Sequence, residues 1–244
     1  MDPDPPQPTA DSGHTLEEPP ATIAVRGGRR TDVAVALVIV LQFIARTTLA
    51  ARGSWTWDDW GFLYAATTRT FGPDDWFSVY GGQFHPFLWP LFDLQQWVAP
   101  GSYPAAAVLV GLLEAISVLL VYLVLRRLFG ARLILVTFVV WFAFTPLTLE
   151  SRLWVTVAFY TLPFQISFAA ALLLFLRYLE APSRRRAILV VLGQIAALLC
   201  WQKAVYIPVV FFVLAAWAPL SGRAIGWRDA LRRFRPLWVG LLTA

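Results

Sequence analysis

Two acidic pairs are the residues whose type and spacing most readily do chemistry. Asp58-Asp59 stands before Trp60, and Asp74-Asp75 before Trp76. Adjacent carboxylates repel, so one of them holds its proton longer or recruits a cation, which suits acid–base or metal-assisted work. The structural alternative is helix capping. Pro73 ahead of Asp74-Asp75 favours capping for that pair, because Pro suits a first helical turn and acids suit the positive end of the dipole. No proline accompanies Asp58-Asp59, so chemistry and capping both remain open there.

Other candidates are sparse. His85 follows two glycines in Gly81-Gly82-Gln83-Phe84-His85-Pro86, and Pro86 restricts it to an extended backbone. It reads either as a binding residue or as a packed, hydrogen-bonded one. Two histidines and a single cysteine, Cys200, exclude a disulfide within the chain and make structural zinc a poor fit. Glu114 falls inside an apolar run, where an ionisable group is costly and commonly functional. Gln165 is another polar residue within such a run. Arg152 and Lys203 are cations at the ends of apolar runs, suited to snorkelling or to holding an anion.

The elements that must position these residues are read from composition. Of the 244 residues 58% are hydrophobic and 14% charged, and mean hydropathy is +0.62. A soluble domain carries about 25% charged residues. Apolar runs at about 33–50, 104–125, 133–149, 158–176, 187–201 and 204–219 are near bilayer thickness. Helices are expected, because a lipid-exposed backbone must satisfy its own hydrogen bonds. The fold class that follows is an all-α polytopic membrane protein of about six transmembrane helices. The run from Pro236 to Ala244 is too short to span and reads as the start of a truncated seventh. Residues 1–30 are rich in Pro, Asp, Glu and Gly and read as a disordered tail, leaving 31–244 as the membrane domain.

Orientation follows from charge. With the tail cytoplasmic and the spans alternating, all basic residues but Arg46, Arg52, Arg69, Arg152 and Lys203 fall on the cytoplasmic side. A net charge of +5 spread over several loops suits this orientation better than a nucleic-acid patch. A multi-pass protein of the plasma membrane is expected. Residues 51–103 then form one long extracytoplasmic loop, too aromatic for a solvated linker, and expected to fold into short interfacial helices. Trp57, Trp60 and Tyr64 are spaced to share a helical face.

This pattern resembles the GT-C superfamily of multi-spanning glycosyltransferases, which includes the protein O-mannosyltransferases and the bacterial aminoarabinose and arabinofuranosyl transferases. The matching features are a cytoplasmic N-terminus, one span, a long outer loop opening on Trp57-Asp58-Asp59-Trp60, and the later Gly-Gly-Gln-Phe-His-Pro element. They cover about residues 33–220, the N-terminal part of such an enzyme. The pair is Asp-Asp where the O-mannosyltransferases have Asp-Glu. The resemblance implies transfer of a sugar from a polyprenyl-phosphate donor to an extracytoplasmic glycan or protein acceptor. It implies that Asp58 or Asp59 acts as base toward the acceptor hydroxyl or helps hold a divalent cation. His85, Arg152 and Lys203 would be substrate-binding residues, the cations facing the lipid phosphate. A transporter or flippase centred on Glu114, and a non-catalytic membrane subunit using the aromatic loop as an interface, are the rival readings.

Overall fold

A computed structural model describes residues 22–68, 72–77, 79–216, 228, 231–232 and 234–243. Of the expected tail at 1–30, residues 1–21 lie outside the described residues and 22–30 instead belong to a helix, Thr22–Ala50. The end of the 204–219 run, Arg69, Arg223 and Arg233 also lie outside the described residues. The described residues are mostly helical. Among them three helices are long and apolar enough to cross a membrane: Gly28–Ala50 within α1 (Thr22–Ala50), α5 (Tyr103–Phe129) and α8 (Val155–Glu180). Two further apolar stretches, Ile134–Thr148 and Gln202–Ala216, are shorter.

Local chemistry explains the boundaries. α5 starts at Ser102, whose hydroxyl accepts from the Ala105 amide, with Pro104 in the first turn. It ends with Arg126 and Arg127 in its last turn, at the negative end of the dipole, followed by Gly130 at φ 73°. The run at 133–149 breaks at Pro146 into α6 (Ile134–Phe144) and a 3-10 turn, Pro146–Thr148. A short helix, α7 (Leu149–Leu153), leads into α8. Ser183 caps α9 (Arg184–Cys200). The 187–219 region is indeed interrupted, by a 3-10 turn at Gln202–Tyr206 ahead of α10 (Ile207–Ala216). The last described helix is α11 (Arg235–Thr243).

α5 and α8 pack against each other at the centre. α1 and α6 lie against α5, and α9 lies against α8. The α1–α5 approach is close at Gly111, where any Cβ would collide with Thr47 and Phe43 of α1. Three apolar clusters result. One is built from α8 to α11, one from α1, α5 and α6, and one joins the 51–103 loop to α5 and α8.

The loop folds into α2 (Asp58–Thr68), α3 (Pro73–Trp76), a two-stranded hairpin and α4 (Leu88–Val98). In the hairpin, β1 (Val79–Tyr80) pairs antiparallel with β2 (Gln83–Phe84), Val79 opposite Phe84. Gly81 and Gly82, at φ 57° and 75°, form the two-residue turn that requires positive φ at both positions. Phe62 of α2 stacks on Phe92 of α4, and Phe92 meets Phe159 of α8 edge-on, each with 5.1 Å between ring centroids. The expected helical face is partly redrawn. Trp60 and Tyr64 lie on α2 and are exposed, whereas Trp57 precedes the helix with φ 44°. The buried aromatic set of the loop is Trp55, Phe62, Trp89 and Phe92.

Candidate functional site

The two aspartates of the 58–59 pair have opposite surroundings. α2 starts at Asp58, and the backbone turns Asp59 inward to complete burial while Asp58 stays exposed. Asp59 Oδ1 accepts from the Thr156 amide at 2.7 Å and the Thr156 hydroxyl at 2.6 Å. Oδ2 accepts from the Thr56 amide at 3.1 Å and the Thr56 hydroxyl at 3.3 Å. A carboxylate offers about four lone-pair sites, so Asp59 has none left for a further hydrogen-bond donor. It clasps the 51–103 loop to the start of α8. Thr156 also sits in the first turn of α8, where a carboxylate is favoured by free amides. The other pair is a cap, with Asp75 Oδ2 accepting from the Gly72 amide at 3.1 Å.

His85 is buried beside α8, its ring stacked on Tyr160 with 4.3 Å between centroids and 12° between planes. Burial pushes the His85 pKa below its ordinary value, and a hydrogen bond to the Cys200 backbone opposes that shift in part. The hairpin ahead of His85 is fastened to the end of α9. Trp201 Nε1 donates to Gln83 Oε1 at 3.0 Å, and the Phe84 amide donates to Gln202 Oε1 at 2.5 Å. The Phe87 amide donates to the Leu199 carbonyl at 3.3 Å. Lys203 is exposed and holds its ammonium 3.9 Å from the Trp201 ring centroid, a cation–π contact. Tyr160 contacts Trp201 as well as His85. His85 and Lys203, far apart in sequence, thus border one aromatic platform made by Tyr160 and Trp201.

Arg152 is not part of that platform. It is buried with Arg46 and Glu114 between α1, α5 and α7, at 6%, 8% and 5% exposure. Glu114 Oε1 lies 3.7 Å from Nε of each arginine. Arg46 also donates to the carbonyls of Ala143 and Thr145, at 3.1 and 2.9 Å. Arg152 donates to Thr161 Oγ1 at 2.8 Å and to Gln165 Oε1 at 3.0 Å, and Ser117 donates to the same Gln165 oxygen at 3.2 Å. Two guanidinium groups and one carboxylate leave the group with a net charge of +1.

An open cavity of about 630 Å³ lies outside this group, lined by Thr56, Trp57, Tyr103, Pro146, Leu149, Leu153 and Trp154, among others. Leu149 and Leu153 also border the small space beside Arg46, Glu114 and Arg152. Trp154 Nε1 is buried without a hydrogen-bond partner. The Tyr103 hydroxyl donates to the Leu153 carbonyl at 2.9 Å and fixes the junction between α7 and α8.

A divalent cation finds no carboxylate cage here. Asp59 is saturated, and among the described residues no three His, Cys, Asp or Glu side chains converge.

Sequence reasoning passed over Arg46, Thr156 and Tyr160. Arg46 carried a usable signal, an ionisable residue inside an apolar run, the same one that singled out Glu114. Nothing local marks Thr156 or Tyr160, whose partners lie 97 and 75 residues away along the chain. No family model, no curated protein and no solved structure matches the chain.

Proposed function

We propose that this chain is the catalytic membrane part of a glycosyltransferase that uses a polyprenyl-phosphate sugar and works on the outer face of the bilayer. In this reading the chain crosses the membrane six times from a cytoplasmic N-terminus, and a seventh helix begins near Pro236. The observation that carries it is the cavity of about 630 Å³ lined by Thr56 and Trp57, the residues that lead into the acidic pair, and sharing Leu149 and Leu153 with the small space beside Arg46, Glu114 and Arg152. A lipid phosphate leaving group needs a cation near it in a low-dielectric setting, and Arg46 and Arg152 supply one in excess of Glu114.

Asp58 is the base in this reading, because Asp59 is committed to its four hydrogen bonds. Asp58 takes the proton of the acceptor hydroxyl, and the acceptor oxygen attacks the anomeric carbon. The bond from that carbon to the phosphate oxygen breaks, the polyprenyl phosphate leaves with the electron pair, and the anomeric configuration inverts. Tyr160 and Trp201, beside His85 and Lys203, offer flat apolar faces against which a sugar ring can rest.

The test uses membranes carrying the protein and a pool of labelled polyprenyl-phosphate sugars. Transfer by wild type and a loss of about 100-fold or more in Asp58→Asn, at equal abundance, support the reading. Equal transfer by both proteins removes Asp58 from the chemistry. The buried Glu114 also favours a transporter reading. That reading is supported instead if solute flux into vesicles falls in Glu114→Gln while no sugar is transferred by either protein.

A further inference from the structure

We propose that the end of the molecule opposite the acidic pair carries a binding site for one anionic phospholipid of the bilayer, centred on the turn between α8 and α9. The site has two compartments that meet at Pro182 and Ser183. One is a cavity of about 740 Å³ whose charged walls are Arg127 from α5, Arg177 and Glu180 from α8, and Arg185 and Arg186 from α9. Four arginines against one glutamate give it a net charge of +3. The other is a groove of about 670 Å³ between α9 and α11. Its walls include Tyr178, Ile188, Val191, Leu192 and Pro236, and it is apolar apart from Ser183 and Arg184.

The cations of the first compartment are not all consumed by the fold. Arg127 is paired with Glu180. Arg186 donates to the Arg177 and Ala181 carbonyls at 3.1 and 2.7 Å, so it closes the end of α8. Arg177 and Arg185 are exposed on the cavity wall and bring two positive charges to it. The α9 N-terminus, 17 residues long and capped by Ser183, opens onto the same space and adds its positive end.

Charge complementarity and the adjoining apolar groove together select an amphiphile rather than a free anion. A phosphodiester headgroup fits among arginines that reach it as planar forks. Its acyl chains continue along the exposed side chains of Ile188 and Leu192, which face outward from α9. A basic recess at the end of helices long enough to cross a membrane is where such headgroups lie.

The experiment is lipid retention by the full chain. The protein is purified in a mild detergent from vesicles of equal phosphatidylglycerol and phosphatidylcholine, and bound lipid is counted by native mass spectrometry. We expect one phosphatidylglycerol retained per wild-type chain, and at least a tenfold fall in the double variant Arg177→Gln/Arg185→Gln. The control Arg132→Gln, an exposed arginine outside both compartments, should retain lipid as wild type does. Ile188→Trp, which fills the groove and leaves every arginine in place, should also lower retention. Equal retention by wild type and the double variant overturns the site. So does an equal loss in Arg132→Gln, which would mean diffuse surface charge. Displacement of the lipid by 10 mM inorganic phosphate, used as probe, likewise overturns it, since the groove would then contribute nothing.

Discussion

Two buried carboxylates, Asp59 and Glu114, show how different surroundings give an acid different work. Asp59 lies where the 51–103 loop meets α8 and is satisfied entirely by neutral donors, two amides and two hydroxyls. Glu114 lies among α1, α5 and α7 and is balanced by charge, with Arg46 and Arg152 each 3.7 Å away. A carboxylate saturated by directed hydrogen bonds fixes a position and is spent by doing so. A carboxylate between two cations formally cancels only one of them and leaves a positive charge inside the fold. The first arrangement belongs to folding and the second can belong to binding.

The largest effect that separates them is expected from Glu114→Gln. It leaves two buried guanidinium groups without an anion, and breaking a buried pair this way costs about 3–5 kcal/mol. Thermal unfolding in detergent measures it. The double variant Glu114→Gln/Arg152→Gln should recover part of the loss, since one of the unpaired charges is gone. No recovery would mean that the carboxylate acts through something other than charge balance.

Asp59→Asn is expected to cost less, about 1–3 kcal/mol, because the amide NH₂ replaces an acceptor that faces donors. The damage should be local. Hydrogen exchange should quicken at Thr56 and at the first turn of α8 while α9 and α10 keep their protection. A uniform loss of protection would contradict the clasp.

His85 extends the comparison to pH. Its pKa is lowered in the fold, chiefly by burial, so the unfolded chain binds the proton more readily. Its neutral form is favoured above the unfolded value of about 6.5, and stability is lost as pH falls below that toward the folded value. His85→Phe keeps a flat ring for Tyr160 and removes the proton, so this part of the acid-side loss should disappear. An unchanged acid limb in the melting profile would show that His85 is not its source.

The smallest change in stability is expected at Asp58, whose exposed carboxylate can be replaced by Asn within about 0.5 kcal/mol.

The helices were legible in the sequence because apolar run length is a local property. The runs at 33–50, 104–125 and 158–176 all fall within helices long enough to cross a membrane. The gap between the runs at 187–201 and 204–219 marked a real interruption, whereas the run over 133–149, continuous in the sequence, is broken at Pro146. The Gly81-Gly82 turn was equally local. What could not be read was which aspartate of the pair turns inward, since that depends on Thr156, brought in by the packing of α8. Arg152 shows the same limit. Its position near the end of an apolar run suggested a cation at the surface, and α7 instead carries it to Glu114 and Gln165. Sequence gives the residue type, while burial and partners, settled by tertiary contact, decide its work.

In the proposed function the acidic pair divides its labour, Asp58 for chemistry and Asp59 for architecture. The direct test places Asp58→Asn and Asp59→Asn side by side, measuring sugar transfer in membranes and melting temperature on the same preparations. Asp58→Asn is expected to melt as wild type does and to lose transfer, and Asp59→Asn to melt lower. Asp58→Asn transferring sugar at the wild-type rate, or melting lower than Asp59→Asn, would contradict it.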